Sequence, residues 1–347
     1  MTTQSEQLTA FESIPIIDVS GLRSTDPLQQ QRVAHEIGTA ARQVGFFQIV
    51  GHGISVHQQA QLVAAAKAFF ALEEAEKMQY YIGLSNNHRG YVPQGEEAPD
   101  PNAVDLKEAF DIAMELPADD PDVGPDKPLL GPNPWPRLPG FRTSVETYYD
   151  AAFQLGCDLM RGFALALNLP ANRFMQYINK PPSQLRLIHY PFNPEAVDTQ
   201  GIGAHTDYEC FTILKPTTGG LEVMNGGGKW VAVPFREDAL IINIGDMLEI
   251  WTNGAFVATS HRVRKVPEER YAFPLFFACD YEVTVAPLPE LVKPGEALRY
   301  QPLKAGDHLL AQTMQTFQYL KRRLASGEMK MPEQALTVGS LGQHGRH

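Results

Sequence analysis

The sequence predicts an α+β, mainly β fold, in which a double-stranded β-helix (jelly roll) core is flanked by α-helices. Two observations predict it. After Pro170, short β-rich segments recur roughly every 8–12 residues between Gly- and Asn-containing turns, which is typical of an antiparallel sandwich or jelly-roll barrel. Before Pro170, and again near the C-terminus, apolar residues recur at helical spacing.

These patterns divide the chain into regions of one domain, 1–347. Residues 1–170 form a helical N-terminal region with strands and lid-like loops, residues 171–300 form the jelly-roll core, which carries the most informative motif of the sequence, and residues 301–347 form a C-terminal helix and tail.

Apolar periodicity, and the glycines and prolines that interrupt it, delimit the N-terminal elements. Pro15 cannot donate a hydrogen bond to a sheet and therefore marks the first strand as an edge strand. The predicted elements are a strand at 14–18, a helix at 27–44, a strand at 46–50, a helix at 56–70 and the longest helix at 144–167.

Residues 83–142 are rich in Pro, Gly, Asn and Asp and contain one short predicted strand, at 106–113. Long loops within a compact domain are usually lids or binding loops, so this segment is expected to cover the functional site. The strands predicted beyond it are 184–190, 211–216, 221–224, 230–234, 239–244, 247–251, 261–265 and 271–278, followed by a helix at 306–326.

Composition restricts the kind of partner. The net charge of −11 and the pI near 5.4 argue against a nucleic-acid partner, which requires a basic face. Three scattered cysteines without CxxC spacing fit a reducing cytoplasm better than a disulfide framework. No apolar run reaches the ~18 residues of a membrane span. We therefore expect a cytoplasmic protein that acts on a small molecule, and its oligomeric state stays open.

The most informative motif is His205-Thr206-Asp207, which is followed later by His261. Residues i and i+2 of a strand point the same way, so His205 and Asp207 can converge on one ion. Two imidazoles and one carboxylate make the 2-His-1-carboxylate facial triad, which leaves neighbouring metal positions open and suits Fe(II). The motif therefore predicts an iron centre that can also bind a cosubstrate and O2.

Over nearly its whole length the chain resembles the isopenicillin N synthase-like branch of the Fe(II)/2-oxoglutarate-dependent dioxygenases. Besides the metal motif, the resemblance depends on Ile14-Pro15-Ile16-Ile17-Asp18, Gly45-Phe46-Phe47-Gln48-Ile49-Val50-Gly51-His52-Gly53-Ile54, Arg89-Gly90-Tyr91, Leu185-Arg186-Leu187-Ile188-His189-Tyr190-Pro191, Asn243-Ile244-Gly245-Asp246, Thr252-Asn253-Gly254 and His261-Arg262-Val263.

The resemblance implies that His205, Asp207 and His261 bind Fe(II), and that the reaction uses O2 and the cosubstrate 2-oxoglutarate and releases succinate and CO2. It further implies that Arg270 pairs with the distal carboxylate of 2-oxoglutarate, with Tyr190 and Arg186 in the same pocket. A guanidinium fork suits bidentate carboxylate recognition.

Substrate contacts are expected over the open face of the metal, beneath the 83–142 loops. The candidate residues are Arg89, Tyr91, Glu96, Glu97, Glu108, Phe110, Phe192 and Phe277.

The sequence departs from the family pattern at one position of the cosubstrate pocket. Most of the family has Arg-x-Ser, whereas this chain has Arg270-Tyr271-Ala272 and so lacks the hydroxyl. Other activities therefore stay open beside the main prediction of an enzyme that oxidises, by hydroxylation in the first instance, a small molecule. They are an iron oxidase of the isopenicillin N synthase type that uses no 2-oxoglutarate, an ethylene-forming-type fragmentation of 2-oxoglutarate, and a non-catalytic binding module on the same fold.

Overall fold

The computed structural model describes residues 9–97, 107–192, 200–264 and 268–332. The helices are α1 (Pro27–Gln43), α2 (Val56–Phe70), α3 (Glu74–Lys77), α4 (Phe141–Ala166), α5 (Asp246–Trp251), α6 (Ala305–Thr316) and α7 (Gln318–Ala325). The strands are β1 (Ile16–Asp18), β2 (Phe46–Val50), β3 (Gly90–Val92), β4 (Glu108–Ala113), β5 (Gln184–Tyr190), β6 (Gln200–His205), β7 (Phe211–Pro216), β8 (Leu221–Met224), β9 (Trp230–Ala232), β10 (Leu240–Ile244), β11 (His261–Arg264), β12 (Arg270–Phe277), β13 (Thr284–Val285) and β14 (Leu303–Lys304). None of the described helices is both long and apolar enough to cross a membrane.

Local sequence signals account for the first helices. Asp26 accepts a hydrogen bond from the backbone nitrogen of Leu28 at 2.9 Å, and Pro27 occupies the first helical position of α1. Ser55 and Gln58 form a reciprocal capping box at the start of α2, which has the bounds that the sequence predicted.

Two sheets form the β core. The larger one has the strand order β1-β2-β10-β7-β12-β5-β4-β3, and the smaller one has the order β6-β11-β8-β9. β1 lies at the edge of the larger sheet and pairs in parallel with β2, so the prediction of an edge strand is confirmed. Together with the similarity to solved structures reported below, this arrangement confirms the predicted fold class.

Apolar side chains join these layers. Residues from both sheets, among them Phe46, Ile241, Val223 and Val263, share one buried cluster. A larger cluster lies between the eight-stranded sheet and the helices, where α4 packs against β12 and against α1 and α2. The smaller sheet is thereby held over the larger one, with β6 and β11 adjacent to each other.

Two elements differ from the sequence prediction. Residues 247–251 belong to the helix α5 and not to a strand, because a short buried apolar run does not distinguish the two structures. The predicted helix at 306–326 is two helices that are separated by Phe317, which has an extended backbone (φ −89°, ψ 130°). Phe317 pairs with Glu97 in an isolated antiparallel bridge, so a distant contact interrupts the helix.

Some predictions fall partly on residues outside the described ranges. In the loop at 83–142, residues 98–106 lie outside them, including the first residue of the strand predicted at 106–113; β4 begins at Glu108. Lys265, at the end of the predicted strand 261–265, also lies outside them, and β11 ends at Arg264. The strand β6 had not been predicted as a separate element.

Candidate metal and cosubstrate site

His205, Asp207 and His261 form a cluster whose ligand atoms lie within 4.8 Å of one another. His205 ends β6 and His261 begins β11, and the two residues are direct partners in the antiparallel register. Asp207 lies two residues beyond the end of β6. The structure therefore brings together the three predicted ligands. Elsewhere in the described ranges no comparable group of His, Cys, Asp or Glu side chains is found.

The two carboxylate oxygens of Asp207 have different surroundings. Oδ1 lies 3.6 Å from Nε2 of both His205 and His261. Oδ2 accepts hydrogen bonds from Thr212 Oγ1 and, at 2.7 Å, from Asn243 Nδ2. Oδ1 is therefore the oxygen presented to a metal ion, while Oδ2 is held by the protein. Burial alone would raise the pKa of Asp207, but His261, His205 and the two hydrogen-bond donors outweigh it and lower the pKa.

Both histidines are oriented through their second ring nitrogen. Nδ1–H of His205 donates to the carbonyl of Gly203 at 2.8 Å, and Nδ1–H of His261 donates to the carbonyl of Thr259 at 3.2 Å. This leaves the Nε2 lone pairs for a metal ion, as is usual for ligating histidines. Burial, reinforced by the neighbouring His205, lowers the pKa of His261 to about 4, so this imidazole is neutral at physiological pH.

Gly245 permits the close approach of α5 to the segment 207–209, which contains Asp207 and is called the metal-binding loop below. A Cβ atom at this position would lie 2.2 Å from the carbonyl oxygen of Glu209. The backbone nitrogen of Asp246 donates to the carbonyl of Asp207 at 2.9 Å, and the nitrogen of Met247 donates to that of Glu209 at 3.1 Å. The first turn of α5 thus fixes the backbone that carries the aspartate ligand.

Arg270 is the second feature of the site. It begins β12, is 2% exposed and pairs across the sheet with Tyr190. Its guanidinium carbon lies 4.9 Å from the centre of the Tyr190 ring, a cation–π distance. Nε and Nη1 have no hydrogen-bond partner among the described residues. Because a buried charge without partners is costly, these two N–H groups fit a bound carboxylate, as a dicarboxylate cosubstrate would supply.

Ala272, the position that departs from Arg-x-Ser, lies on the same strand and is 3% exposed. It pairs with Ile188 on β5 and Pro216 on β7, and neither residue replaces the missing hydroxyl. A carboxylate at this end of β12 would therefore meet the guanidinium of Arg270 without a hydroxyl from residue 272.

Arg186 was predicted in the cosubstrate pocket, but its guanidinium nitrogens are occupied by carboxylates of the protein. Nε and Nη2 donate to the two oxygens of Asp111, each at 2.8 Å, and Nη1 donates to Glu97 Oε2 at 2.9 Å. Lys107 Nζ lies 3.2 Å from the same Glu97 oxygen. We refer to Arg186, Asp111, Glu97 and Lys107 as the buried charge cluster; it combines two cations with two anions.

The polar residues predicted as substrate contacts are also bonded within the protein. Arg89 donates to the carbonyls of Met114, Gly131 and Leu129 and to Asn133, so it holds loop segments together. The hydroxyl of Tyr91 donates a hydrogen bond to the carboxylate of Glu108 at 2.6 Å. That carboxylate also lies 2.7 Å from Lys77 Nζ and 2.8 Å from His189 Nδ1. The carboxylate of Glu96 accepts hydrogen bonds from the hydroxyl of Tyr81 at 2.7 Å and from the backbone nitrogen of Tyr319 at 2.6 Å. Glu97 belongs to the buried charge cluster.

The predicted aromatic contacts lie elsewhere. Phe110 and Phe277 are fully buried, and their rings pack against Phe141 and Phe153 of α4 at 5.4 and 5.2 Å between ring centres. Both rings therefore belong to the core between the sheet and α4 and leave no surface for a substrate. Phe192 is 65% exposed and follows the end of β5.

The groups that orient Asp207 carry little local signal in the sequence. Asn243 belongs to the motif Asn243-Ile244-Gly245-Asp246, and Thr212 belongs to no motif. Both roles depend on cross-strand register, since Asn243 on β10 is the direct partner of Thr212 on β7. Only the pairing of two strands that are distant in sequence could have revealed them.

Comparison with known proteins places these features in context. A family model described as "non-haem dioxygenase in morphine synthesis N-terminal" matches residues 14–138. A second model, described as "2OG-Fe(II) oxygenase superfamily", matches residues 181–278. The second match includes the three clustered ligands as well as Tyr190 and Arg270.

Similar proteins extend over most of the chain. A 2-oxoglutarate-dependent dioxygenase, caaD of Aspergillus niger, is 37% identical over 78% of this chain and 86% of its own length. Homoarginine-6-hydroxylase 2-ODD-233 of Oryza sativa subsp. japonica is 31% identical over 88% of this chain and 98% of its own length. The crystal structure of a full-length Neurospora crassa protein in complex with alpha-KG superposes with a TM-score of 0.73 at 25% identity, covering 90% of this chain and 96% of that chain.

Proposed function

This chain belongs to the 2OG-Fe(II) oxygenase superfamily and is an Fe(II)- and 2-oxoglutarate-dependent dioxygenase, and from this premise we propose which residues carry the reaction and what kind of substrate it oxidises. His205, Asp207 and His261 bind the iron. Arg270, stacked on Tyr190, binds the distal carboxylate of 2-oxoglutarate. The substrate is a small organic molecule. The observation that carries the proposal is the buried guanidinium of Arg270, whose Nε and Nη1 have no partner among the described residues.

The protein's own groups prepare the site in three ways. The clustered ligands occupy one side of the metal position and leave neighbouring positions open for a chelating cosubstrate and O2. Thr212 and Asn243 hold Asp207 so that one oxygen faces the metal. Carbonyl acceptors keep protons on Nδ1 of both histidines and away from the metal position. Bound Fe(II) and 2-oxoglutarate then supply the oxidising chemistry, in which O2 is consumed and succinate and CO2 are released.

Arg270 favours this proposal over an iron oxidase that uses no cosubstrate. Its Nε and Nη1, which have no partner among the described residues, suit the distal carboxylate of 2-oxoglutarate. The names of the relatives agree, since caaD is called a 2-oxoglutarate-dependent dioxygenase. For the substrate, the net charge of −11 disfavours nucleic acid, and the rice relative is named as a hydroxylase of homoarginine, a small molecule.

Anaerobic titration of the metal-free protein with Fe(II) and then 2-oxoglutarate tests the proposal. Visible absorption should show the weak metal-to-ligand charge-transfer band of the chelated pair. The band should be absent in His205→Ala. Arg270→Ala should need at least about 100-fold more 2-oxoglutarate, because it loses two charge-assisted hydrogen bonds that contribute about 1.5–3 kcal/mol each.

Matched controls are available on the surface. His57→Ala on the exposed start of α2 and Arg236→Ala in an exposed ion pair should both retain the band at wild-type concentrations. An unchanged 2-oxoglutarate affinity in Arg270→Ala would contradict the assignment. Iron binding without any band in the wild type would favour the cosubstrate-free oxidase.

A further inference from the structure

A small cavity lies beside the metal-binding loop. Its volume is about 40 Å³, and its walls include His88, Tyr208, Gln184 and, from α6, Leu309 and Thr313. One water molecule needs a cavity volume of about 10–15 Å³, so this cavity is large enough for a small functional group of a ligand. Tyr208 directly follows Asp207, which places the cavity next to the metal ligands.

The position of the cavity along β5 separates it from the cosubstrate. Alternate residues of a strand point to the same face, so Gln184, Arg186 and Tyr190 share one face of β5. Tyr190, with Arg270, lies at one end of this face, and Gln184 lies at the other end, about 20 Å away at ~3.3 Å per residue. A ligand in the cavity would therefore not compete with a carboxylate on Arg270.

Buried polar atoms without partners among the described residues occur on the cavity wall, at His88, and on α6, which supplies Leu309 and Thr313 to that wall. Nε2 of His88, both ring nitrogens of His308 and Nε2 of Gln312 have no hydrogen-bond partner among the described residues. These side chains are 7%, 2% and 1% exposed, respectively. Buried polar groups are almost always hydrogen-bonded in proteins, so a concentration of exceptions at one place calls for an explanation.

Their positions connect them to the cavity walls. His88 lines the cavity, while its Nδ1 lies 2.6 Å from Tyr319 Oη and its ring packs edge-on against Phe317. His308 lies 6.2 Å from the ring centre of Tyr208, and Gln312 follows His308 by one turn of α6. His88 thus lies on the cavity wall, and His308 and Gln312 directly precede the wall residues Leu309 and Thr313 along α6.

Two further ionisable residues line the cavity itself: Arg89, which donates to backbone carbonyls and to Asn133, and Glu209, whose pKa is raised to about 8 by burial. The buried charge cluster is balanced internally. In the buried charge cluster, both oxygens of Asp111 accept from Arg186, and Glu97 accepts from Arg186 and pairs with Lys107. A cationic or anionic ligand would therefore find no unpaired counter-charge in this cluster and would lose its hydration on entering.

The two imidazoles are neutral. Burial, together with Arg186 and Arg89, lowers the pKa of His88 to about 3 despite the opposing effect of Glu97. Burial lowers the pKa of His308 to about 4. Each neutral imidazole offers one N–H donor and one acceptor nitrogen, and the amide nitrogen of Gln312 offers donors. This combination matches a hydroxyl or carbonyl group.

We infer that the cavity lined by His88 and Tyr208, together with His308 and Gln312, is a specificity subsite that binds an uncharged oxygen-bearing group, a hydroxyl or carbonyl, of the substrate. The inference rests on the proposed function, since it names the substrate class of that same site. His308 and Gln312 select the substrate, and the metal and cosubstrate residues remain outside the subsite.

Matched small probes test this inference on the anaerobic enzyme loaded with Fe(II) and 2-oxoglutarate. Cyclopentanol, cyclopentanone, cyclopentylammonium and cyclopentanecarboxylate are titrated by isothermal calorimetry. The alcohol and the ketone should bind about tenfold or more tightly than the two ions, because a site with buried hydrogen-bonding groups discriminates strongly against groups that it cannot pair. Gln312→Met and His308→Leu should each abolish this preference.

The control is Gln315→Met, which changes an exposed glutamine of the same helix and should retain the preference. Thermal unfolding is a second readout. Gln312→Met should unfold at the wild-type temperature or higher, because the amide nitrogen makes no hydrogen bond within the described residues, whereas a structural role would lower the unfolding temperature.

Two results would overturn the inference. The first is that the alcohol and the ketone bind no more tightly than the two ions, or do not bind measurably. The second is that the preference for the alcohol and the ketone survives both Gln312→Met and His308→Leu. The charge-transfer band separates this failure from failure of the proposed function. If the wild type shows the band but no preference, only the subsite is refuted; if it shows no band, the proposed cosubstrate site itself is refuted.

Discussion

Replacing Asn243 by leucine would remove one of the two donors that hold Asp207. The lost hydrogen bond joins Asn243 Nδ2 and Asp207 Oδ2 at 2.7 Å, and the two residues are 3% and 6% exposed. A buried hydrogen bond to a charged acceptor contributes about 1.5–3 kcal/mol, which is about 10–100-fold in an equilibrium constant. Groups that orient metal ligands typically change metal affinity by the same factor. We therefore expect Asn243→Leu to bind Fe(II) about 10–100-fold more weakly.

The measurement is an anaerobic competition between the protein and a chromogenic Fe(II) chelator. Thr212→Val removes the other donor and should have an effect of similar size, whereas Thr212→Ser retains a hydroxyl and should restore much of the affinity. Asn172→Leu, at an exposed position, is the matched control for Asn243→Leu. If Asn243→Leu and Thr212→Val, both folded by circular dichroism, bind Fe(II) like the wild type, the argument that Oδ2 must be held for Oδ1 to bind the metal is wrong.

Three further predictions concern the sheet behind the metal site. Ala272→Ser should lower the Kd for 2-oxoglutarate about tenfold by adding a hydroxyl beside Arg270, measured by the charge-transfer titration; a higher Kd would mean that the hydroxyl does not reach the carboxylate. Arg186→Met should cost about 3–5 kcal/mol in urea unfolding, because Asp111, 0% exposed, loses its partner; unchanged stability with weakened 2-oxoglutarate binding would instead support the predicted cosubstrate role. Burial would raise the pKa of Glu97, but Arg186 and Lys107 outweigh it and lower this pKa to about 2. The stability that ionised Glu97 contributes is therefore present above pH 4.5, the ordinary pKa of the group, and is lost as the pH falls towards 2. Glu97→Gln should therefore reduce the slope of stability against pH in that window, and an unchanged slope would contradict the ion pairing.

The sequence alone predicts the metal cluster, because the main signal lies in residues that are close together in the chain. His205 and Asp207 are two residues apart, and the alternation of a strand brings their side chains to the same side. The regular spacing of strands and turns after Pro170 likewise predicted the jelly roll. These patterns do not depend on which distant residue lies opposite.

The misassigned elements depend on distant contacts. Residues 247–251 are an apolar run whose helical form follows from the approach of α5 to the metal-binding loop at Gly245. Phe317 interrupts the C-terminal helix because it pairs with Glu97, more than two hundred residues earlier in the chain. Phe317 and its neighbours include no proline or glycine that would end a helix locally.

The predicted substrate contacts stay predictions, and the sequence is insufficient here for a related reason. A position in a loop near the site does not reveal what a side chain is bonded to, and Arg89 is occupied by backbone carbonyls from other parts of the same loop region. In contrast, His308 and Gln312 lie on a helix without any motif. What distinguishes them is that the ring nitrogens of His308 and the amide nitrogen of Gln312 are buried and have no hydrogen-bond partner in the part of the chain that the structure describes.

The pairing of Phe317 with Glu97 also determines when the site is completed during synthesis. The backbone nitrogen of Gln318 donates to the carbonyl of Glu96 at 2.9 Å, and that of Tyr319 donates to its side chain. Chains grow at about 5–20 residues per second and fold from the N-terminal side first, so the metal ligands can assemble before these residues exist. A nascent or prematurely terminated chain that ends before Phe317 would carry His205, Asp207 and His261 without Tyr319 of α7, whose hydroxyl contacts His88 on the cavity wall. Such a chain would bind iron before His88 has the partner that holds its ring.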